Sequence, residues 1–167
     1  KRIKAIAPVP IIVGGTAFSL MPELIIDLIG ADYGITGEGE WACCHLIDAL
    51  QRKKSCSRII HGLDYYKNDE HIRGAFYDSN LIREYYRRCD FVGIQTKRGC
   101  PFNCIYCVYP LLEGKCFRHR DIHDVIEEIK LLRVNHGCKN IHFTDSVFND
   151  PAGRFMELVE GILSSGL

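Results

Sequence analysis

Apolar residues in this chain fall into two alternating patterns: short unbroken runs closed by glycine, and longer stretches in which they recur every three or four positions. Pro10-Ile11-Ile12-Val13 is a run of the first kind, β-branched and closed by Gly14-Gly15, and predicts a buried parallel strand that ends in a turn. Pro22 suits the first turn of a following helix, in which Leu24, Ile25, Leu28 and Ile29 share a face and which Gly30 stops. Residues 31–36 predict the next strand, Gly37-Glu38-Gly39-Glu40 a turn, and residues 41–50 a second helix. From there the pattern loosens. Residues 58–63 followed by 64–69 predict two short extended pieces, a small hairpin, and then a mixed-charge loop. The stretch 81–86 predicts a short helix whose tyrosines pack.

A regular strand–loop–helix repeat begins at Phe91. Residues 91–96 predict a strand and are followed by a loop reaching Arg120. Asp121 caps a helix whose Ile122, Val125, Ile126, Ile129 and Leu132 form one face, and Gly137 ends it. Residues 140–144 predict a second strand, and Asp150-Pro151 the start of a second helix with Phe155, Leu158, Val159 and Ile162 inward. The pattern as a whole is α/β.

Composition narrows the partners more than the fold. Lys plus Arg and Asp plus Glu both count 21, so the formal net charge of the 167 residues is zero and gives no general pull toward nucleic acid or an anionic membrane. No apolar run approaches the ~20 residues of a membrane span, and Lys1-Arg2-Ile3-Lys4 has no signal-peptide core behind it. The expectation is a cytoplasmic protein, and nine cysteines fit a reducing compartment. A start without methionine, and an end at Ser164-Ser165-Gly166-Leu167 directly after a helical pattern, predict a piece of a longer polypeptide.

The chemistry concentrates in Gly99-Cys100-Pro101-Phe102-Asn103-Cys104-Ile105-Tyr106-Cys107. Its C-x3-C-x2-C spacing puts three thiols on one tight loop, an incomplete ligand set for an iron–sulfur cluster, which four cysteines normally hold. Structural zinc, which closes its tetrahedron with four protein ligands, and a disulfide are the alternatives that the residues leave open. Cys43-Cys44-His45 falls in a predicted helix, where consecutive side chains point about 100° apart and cannot converge on one ion. A packed core position for one cysteine of the pair is the expectation, and Cys56 and Cys89, with no partner at ligand spacing, take the same reading.

The flanks of the cysteines add a resemblance. Arg98-Gly99 before the first, Pro101-Phe102 after it and Tyr106 before the last resemble the R-G-C-P-φ-x-C-x-φ-C signature of radical S-adenosylmethionine (SAM) enzymes. The resemblance implies that Cys100, Cys104 and Cys107 hold a 4Fe–4S cluster, that its open iron chelates SAM, and that Tyr106 lies beside the adenine. It implies reductive cleavage of SAM to a 5′-deoxyadenosyl radical that abstracts hydrogen from a small-molecule substrate, with flavodoxin or ferredoxin as reductant. Active sites of β/α barrels gather at the C-terminal ends of the strands. That rule places Thr144-Asp145-Ser146 at the same mouth as the cysteine loop, and the resemblance implies that Asp145 helps hold the methionine amine, with the capping of a turn as its other reading.

The earlier β-Gly-Gly-α-β-G-E-G-E-α arrangement resembles the C-terminal half of the cobalamin-binding domain that precedes many radical SAM domains. By that resemblance Gly14 and Gly15 lie against the nucleotide tail of cobalamin, and Gly37, Glu38 and Gly39 border the same cleft. The family's D-x-H-x-x-G motif has no counterpart in the sequence. The expected organisation is the C-terminal part of a Rossmann-like cobalamin-binding domain over residues 1–52, a connector over 53–90, and the first β/α units of a partial TIM-type radical SAM barrel over 91–167. Two β/α units fall well short of the ~250 residues of a complete barrel. Methylation of an unactivated carbon is the implied outcome where cobalamin is bound. Radical cyclisation or rearrangement, and an iron–sulfur electron-transfer module without SAM chemistry, are the competing readings.

Overall fold

The computed structural model describes residues 2–66 and 72–167. In chain order its elements begin with α1 (Arg2–Ile6), β1 (Ile12–Val13), α2 (Thr16–Leu20), α3 (Pro22–Ile29), β2 (Tyr33–Thr36), α4 (Glu40–Gln51) and β3 (Ile59–His61). After a 3-10 turn at Gly62–Tyr65 come α5 (Ser79–Cys89), β4 (Val92–Ile94), β5 (Lys97–Arg98) and α6 (Tyr109–Leu112). The last elements are β6 (Arg118–His119), α7 (Ile122–His136), β7 (Ile141–Phe143) and α8 (Arg154–Ser164). The chain divides into two compact units, residues 1–70 with 101–115 and residues 71–100 with 116–167.

The first unit is built on a parallel sheet in the order β1-β2-β3, with Ile12 opposite Tyr33 and Ile35 opposite Ile60. Strand alternation sends successive side chains to opposite faces, and two apolar clusters result. Phe18, Ile26 and Ala31 from the α2–α3 side pack with Val13 and Ile59. Ala42 and Leu46 of α4 pack with Ile35 and Ile60 on the other side. The aromatic ring of Phe18 lies over Gly34, where an added Cβ would sit 2.0 Å from Cζ. Pro22 opens α3 and Gly30 closes it in the left-handed conformation, both as expected. Arg58 ties the base of the sheet together, donating to Asp27 at 2.6 Å and to the carbonyl of Ala31 at 3.4 Å.

Residues 58–63 correct the expected hairpin. Residues 59–61 form a third parallel strand, and 62–65 a 3-10 turn. Ile59 and Ile60 each enter a different apolar cluster, so the strand is covered on both faces as parallel strands are. Of the mixed-charge loop expected over 64–69, residues 67–69 lie outside the described residues.

In the second unit β4 and β7 pair in parallel, Val92 opposite Ile141 and Ile94 opposite Phe143. Val92 and Ile94 lie in a core with Val125, Ile129 and Leu132 of α7 and Leu158 of α8. The caps follow the sequence: Asp78 accepts from the backbone of Asn80 and Leu81, and Asp121 from that of His123 and Asp124. Gly137 ends α7 in the left-handed conformation. Two features depart from expectation. The short strands β5 and β6 pair antiparallel, Lys97 opposite His119, and bracket the cysteine loop. Helix α8 starts at Arg154 rather than at Asp150-Pro151: Asp150 holds the Ala152 amide at 3.1 Å in a separate turn, and Gly153, in the left-handed conformation at φ 77°, keeps that turn out of the helix.

Because the tip of Phe18 is fully buried, Gly34→Ala forces a Cβ into its ring and is expected to destabilise the first unit by about 1–3 kcal/mol, as overpacking does. Urea denaturation checks this through a lower midpoint at unchanged slope. Adding Phe18→Leu should restore part of the loss; an unshifted midpoint for Gly34→Ala would show that the ring is not packed on Gly34.

Candidate functional site

The residues that enter the cysteine loop are held at nearly every polar group. Asp145, at the end of β7, accepts from the backbone N–H of Thr96 at 2.7 Å, from the Thr96 hydroxyl, and from the Lys97 N–H at 3.3 Å. The Thr96 carbonyl accepts from the Arg120 backbone at 2.9 Å, and the Gln95 carbonyl from the Arg120 guanidinium at 2.8 Å. The Ser146 hydroxyl donates to the Gly99 carbonyl at 3.1 Å. Lys97 is 2% exposed; its ammonium donates to the Phe148 carbonyl at 2.7 Å and lies 3.3 Å from Asp150 and 3.6 Å from Asp145. The phenyl rings of Phe148 and Phe117 stand 5.5 and 5.8 Å from the same nitrogen.

Asp145, expected at the methionine amine, is thus fully buried, and its carboxylate is committed to Thr96 and Lys97. Ser146 follows it with a direct bond to the residue before Cys100. Burial alone would raise the Asp150 carboxyl, but Lys97, His119 and the Ala152 N–H outweigh it and hold it below the usual carboxylate value. Burial, and then Arg154, push His119 below the ordinary imidazole value.

Cys100 is buried and closes the segment of the second unit. Pro101 to Tyr106 are exposed, with Ile105 at 103% and Tyr106 at 86%, and this stretch belongs to the first unit. Within it the Cys107 N–H donates to the Cys104 carbonyl at 3.0 Å, which forms a tight turn with Cys104 exposed and Cys107 half-buried. All nine cysteines are free thiols in the structure. Cys100 thus lies in the second unit, and Cys104 and Cys107 in the first; three thiols at this spacing have the chemistry of iron–sulfur ligands. Cys43 and Cys44 lie on α4 as expected, Cys43 against the Ile35–Leu46 cluster and Cys44 exposed. Among the described residues, one group of three possible metal donors gathers its ligand atoms within 4.8 Å: Asp121, His123 and Asp124. It is exposed and is accounted for by the α7 cap.

In the first unit the glycine turns follow the carboxyl ends of neighbouring strands, Gly14-Gly15 after β1 and Gly37-Glu38-Gly39 after β2. Gly15 has φ 94° and ψ 176°, a conformation almost closed to side-chain-bearing residues, and a Cβ there would point into open space. Gly37 has φ 69°. Gly14 and Gly39 lack positive φ, and Glu38 is buried. Sequence reasoning missed Ser19, which joins the two turns: its hydroxyl donates to the Gly15 carbonyl at 3.0 Å and accepts from the Gly37 N–H at 2.9 Å. Its place one helical turn after Gly15 was the available signal.

Two expectations follow from these charges. Asp145→Ala leaves a buried ammonium short of an acceptor and should cost about 3–5 kcal/mol of stability, measured by denaturant unfolding; a loss under about 1 kcal/mol would mean the site is solvated. For His119, the unfolded state protonates first, near pH 6.5, and takes up more protons below that pH than the folded state. Stability therefore falls as pH drops from 7 toward 5.5, and His119→Gln should flatten that slope. An equal slope in both proteins would place the titration elsewhere.

Comparison with known proteins bears on this site. The radical SAM superfamily matches residues 94–163, from the end of β4 into α8. An uncharacterized methyltransferase of Pyrococcus horikoshii is 30% identical over 94% of this chain and 38% of its own length. Solved structures of the radical SAM methyltransferase TsrM from Kitasatospora setae share the fold at 25% identity. One, with tryptophan and a SAM analogue, superposes on 98% of this chain with a TM-score of 0.79, and another, with cobalamin and a [4Fe-4S] cluster, on 93% with 0.75. The chain spans about a third of the length of these proteins. With the cysteine signature on a strand-to-loop exit and this match in sequence and fold, the chain belongs to the radical SAM superfamily.

Proposed function

We propose that this chain is the part of a radical SAM methyltransferase that holds the cluster and borders cobalamin. The observation that supports this best is the loop itself: three free thiols at C-x3-C-x2-C spacing, entered from a strand whose end is locked by buried polar contacts. Cys100, Cys104 and Cys107 would be the ligands of a 4Fe–4S cluster and Tyr106 the neighbour of the adenine. A cluster held there would supply the electron for reductive cleavage of SAM. The protein's own task is to fix the ligands, keep one loop face open, and shield what is formed. For Asp145 the buried bonds to Thr96 and Lys97 favour a positioning duty over direct contact with the methionine amine.

Cobalamin belongs to the reading through the glycine turns. Gly15, Gly37, Glu38 and Gly39, with Gly14 at their head, lie beyond the carboxyl ends of adjacent parallel strands, the place where open α/β sheets bind ligands. Residues 1–52 would then be the cobalamin-binding part, 53–90 the connector and 91–167 the start of the barrel. The substrate would be a small molecule and not a nucleic acid, methylated at an unactivated carbon, and the electron donor a flavodoxin or ferredoxin. No described helix is long and apolar enough to cross a membrane. Nine free thiols favour the cytoplasm.

Anaerobic reconstitution should load about four irons per chain. Cys100→Ala, Cys104→Ala or Cys107→Ala should each abolish the cluster's absorbance, whereas alanine at Cys43, Cys44, Cys56, Cys89, Cys116 or Cys138 should not. Added SAM should shift the EPR signal of the reduced protein. Stoichiometric zinc without iron uptake would sink the assignment, and an EPR signal indifferent to SAM would leave only an electron-transfer module. In protein purified with hydroxocobalamin, Gly15→Val should lower cobalamin retention at unchanged iron content; normal retention would put the nucleotide tail in a different cleft.

A further inference from the structure

The buried charges behind the cysteine loop are more than a core with these apolar residues requires. Lys97 is 2% exposed, and both carboxylates beside it, Asp145 and Asp150, are fully buried. An ammonium taken out of water is costly unless acceptors are fixed around it, and an apolar side chain of the same volume is often no worse for stability. The three charges join elements far apart in sequence: Lys97 on β5, Asp145 just after β7, and Asp150 before α8. All three lie in the second unit.

We infer that Lys97 is a positioning residue for the cluster. With Asp145, Asp150 and the Phe148 carbonyl it fixes the root of the cysteine loop, so that Cys100 is set in place before iron arrives. The inference rests on the reading of Cys100, Cys104 and Cys107 as cluster ligands. Geometry supports it through the sharp change at Cys100. From Gln95 to Gly99 the backbone is held by Arg120, Asp145 and Ser146, and Cys100 itself is buried. From Pro101 to Tyr106 every residue is exposed. A fixed first ligand with an exposed second one leaves iron an open approach, while the Lys97 anchor keeps the first thiol in place at the edge of the exposed stretch.

The Lys97–Asp150 contact has a second consequence. One oxygen of Asp150 receives the Ala152 amide, while Oδ2 lies near the ammonium without a well-directed hydrogen bond. Substitutions can therefore remove that contact as a charge-neutral pair. Lys97→Met with Asp150→Asn deletes the ammonium and one carboxylate together and leaves Asp145 to hold Thr96.

Two measurements test the inference. In wild-type protein before iron is added, hydrogen exchange should be at least 100-fold slower in peptides covering residues 95–100 than in those covering 101–107. Equal exchange would mean the root is not set in advance and would overturn the proposal. In the Lys97→Met/Asp150→Asn variant with a wild-type far-UV spectrum, reconstitution should yield at least threefold less iron per chain. The residual reduced cluster should give a broadened EPR signal that SAM no longer shifts. A folded variant with wild-type iron content, EPR line shape and SAM response overturns the proposal. The exchange measurement needs no variant and decides the case if the double variant does not fold. Wild-type protein that takes up no iron is a separate outcome: the cluster assignment itself then fails, and the positioning role with it.

Discussion

A buried ammonium must be matched by acceptors where it lies, because nothing else in a protein interior compensates its lost hydration. Lys97 imposes that condition on the second unit. It requires the chain after β7 to deliver Asp145, the Phe148 carbonyl and Asp150 to one point, and those residues in turn set where β4 ends and where α8 starts. The parallel pairing of β4 with β7 supplies the register that makes this possible, since Ile94 opposite Phe143 puts both strand ends level. Breaking one partner of such a buried group typically costs about 3–5 kcal/mol, a large fraction of the 5–15 kcal/mol by which a domain is stable. The site and the stability of this unit therefore rest on the same atoms.

Where apolar periodicity was strong, the sequence predicted the elements well. The helix from Ile122 to His136, with Asp121 as cap and Gly137 as stop, stands as expected, as does Pro22 at the head of α3. Each carries a signal that is local: a side chain that caps its own helix, a ring that fixes its own φ, a glycine that ends its own turn. The errors share the opposite character. Ile59–His61 reads locally as half of a hairpin, because its partner, Tyr33–Thr36, lies more than twenty residues upstream and no local feature announces parallel pairing. Likewise Asp150-Pro151 has the local form of a helix start, but Gly153 in the left-handed conformation separates that turn from α8, while one oxygen of the carboxylate faces a lysine fifty-three residues earlier.

The site was legible to different depths for the same reason. The three cysteines and their flanks form a contiguous motif, so their place on a strand-to-loop exit could be read directly. The glycine turns were legible as turns, but only the backbone distinguishes Gly15 and Gly37, at φ 94° and 69°, from Gly14 and Gly39, which have no positive φ. Ser19 and Lys97 carried no motif. Their importance comes from what the fold brings to them: two turns from neighbouring strands for one hydroxyl, and two carboxylates with a carbonyl for one ammonium.

These two residues show one device used in both units. A strand ends in a loop that, on the proposed reading, presents backbone or thiol to a large ligand, and such a loop cannot be packed over without blocking what it presents. Its order has to come from beneath. Ser19 supplies it for the glycine turns by bonding a carbonyl of one and an amide of the other, and a Cβ at Gly15 still faces open space. Lys97 supplies it for the cysteine loop, with stronger, charged contacts where the loop has a longer exposed tip. The difference in strength fits the ligands. On the proposed reading, a turn against the tail of cobalamin would need only to keep its shape, whereas a thiolate that shared a cluster would have to hold its position against two other ligands on an exposed stretch of chain.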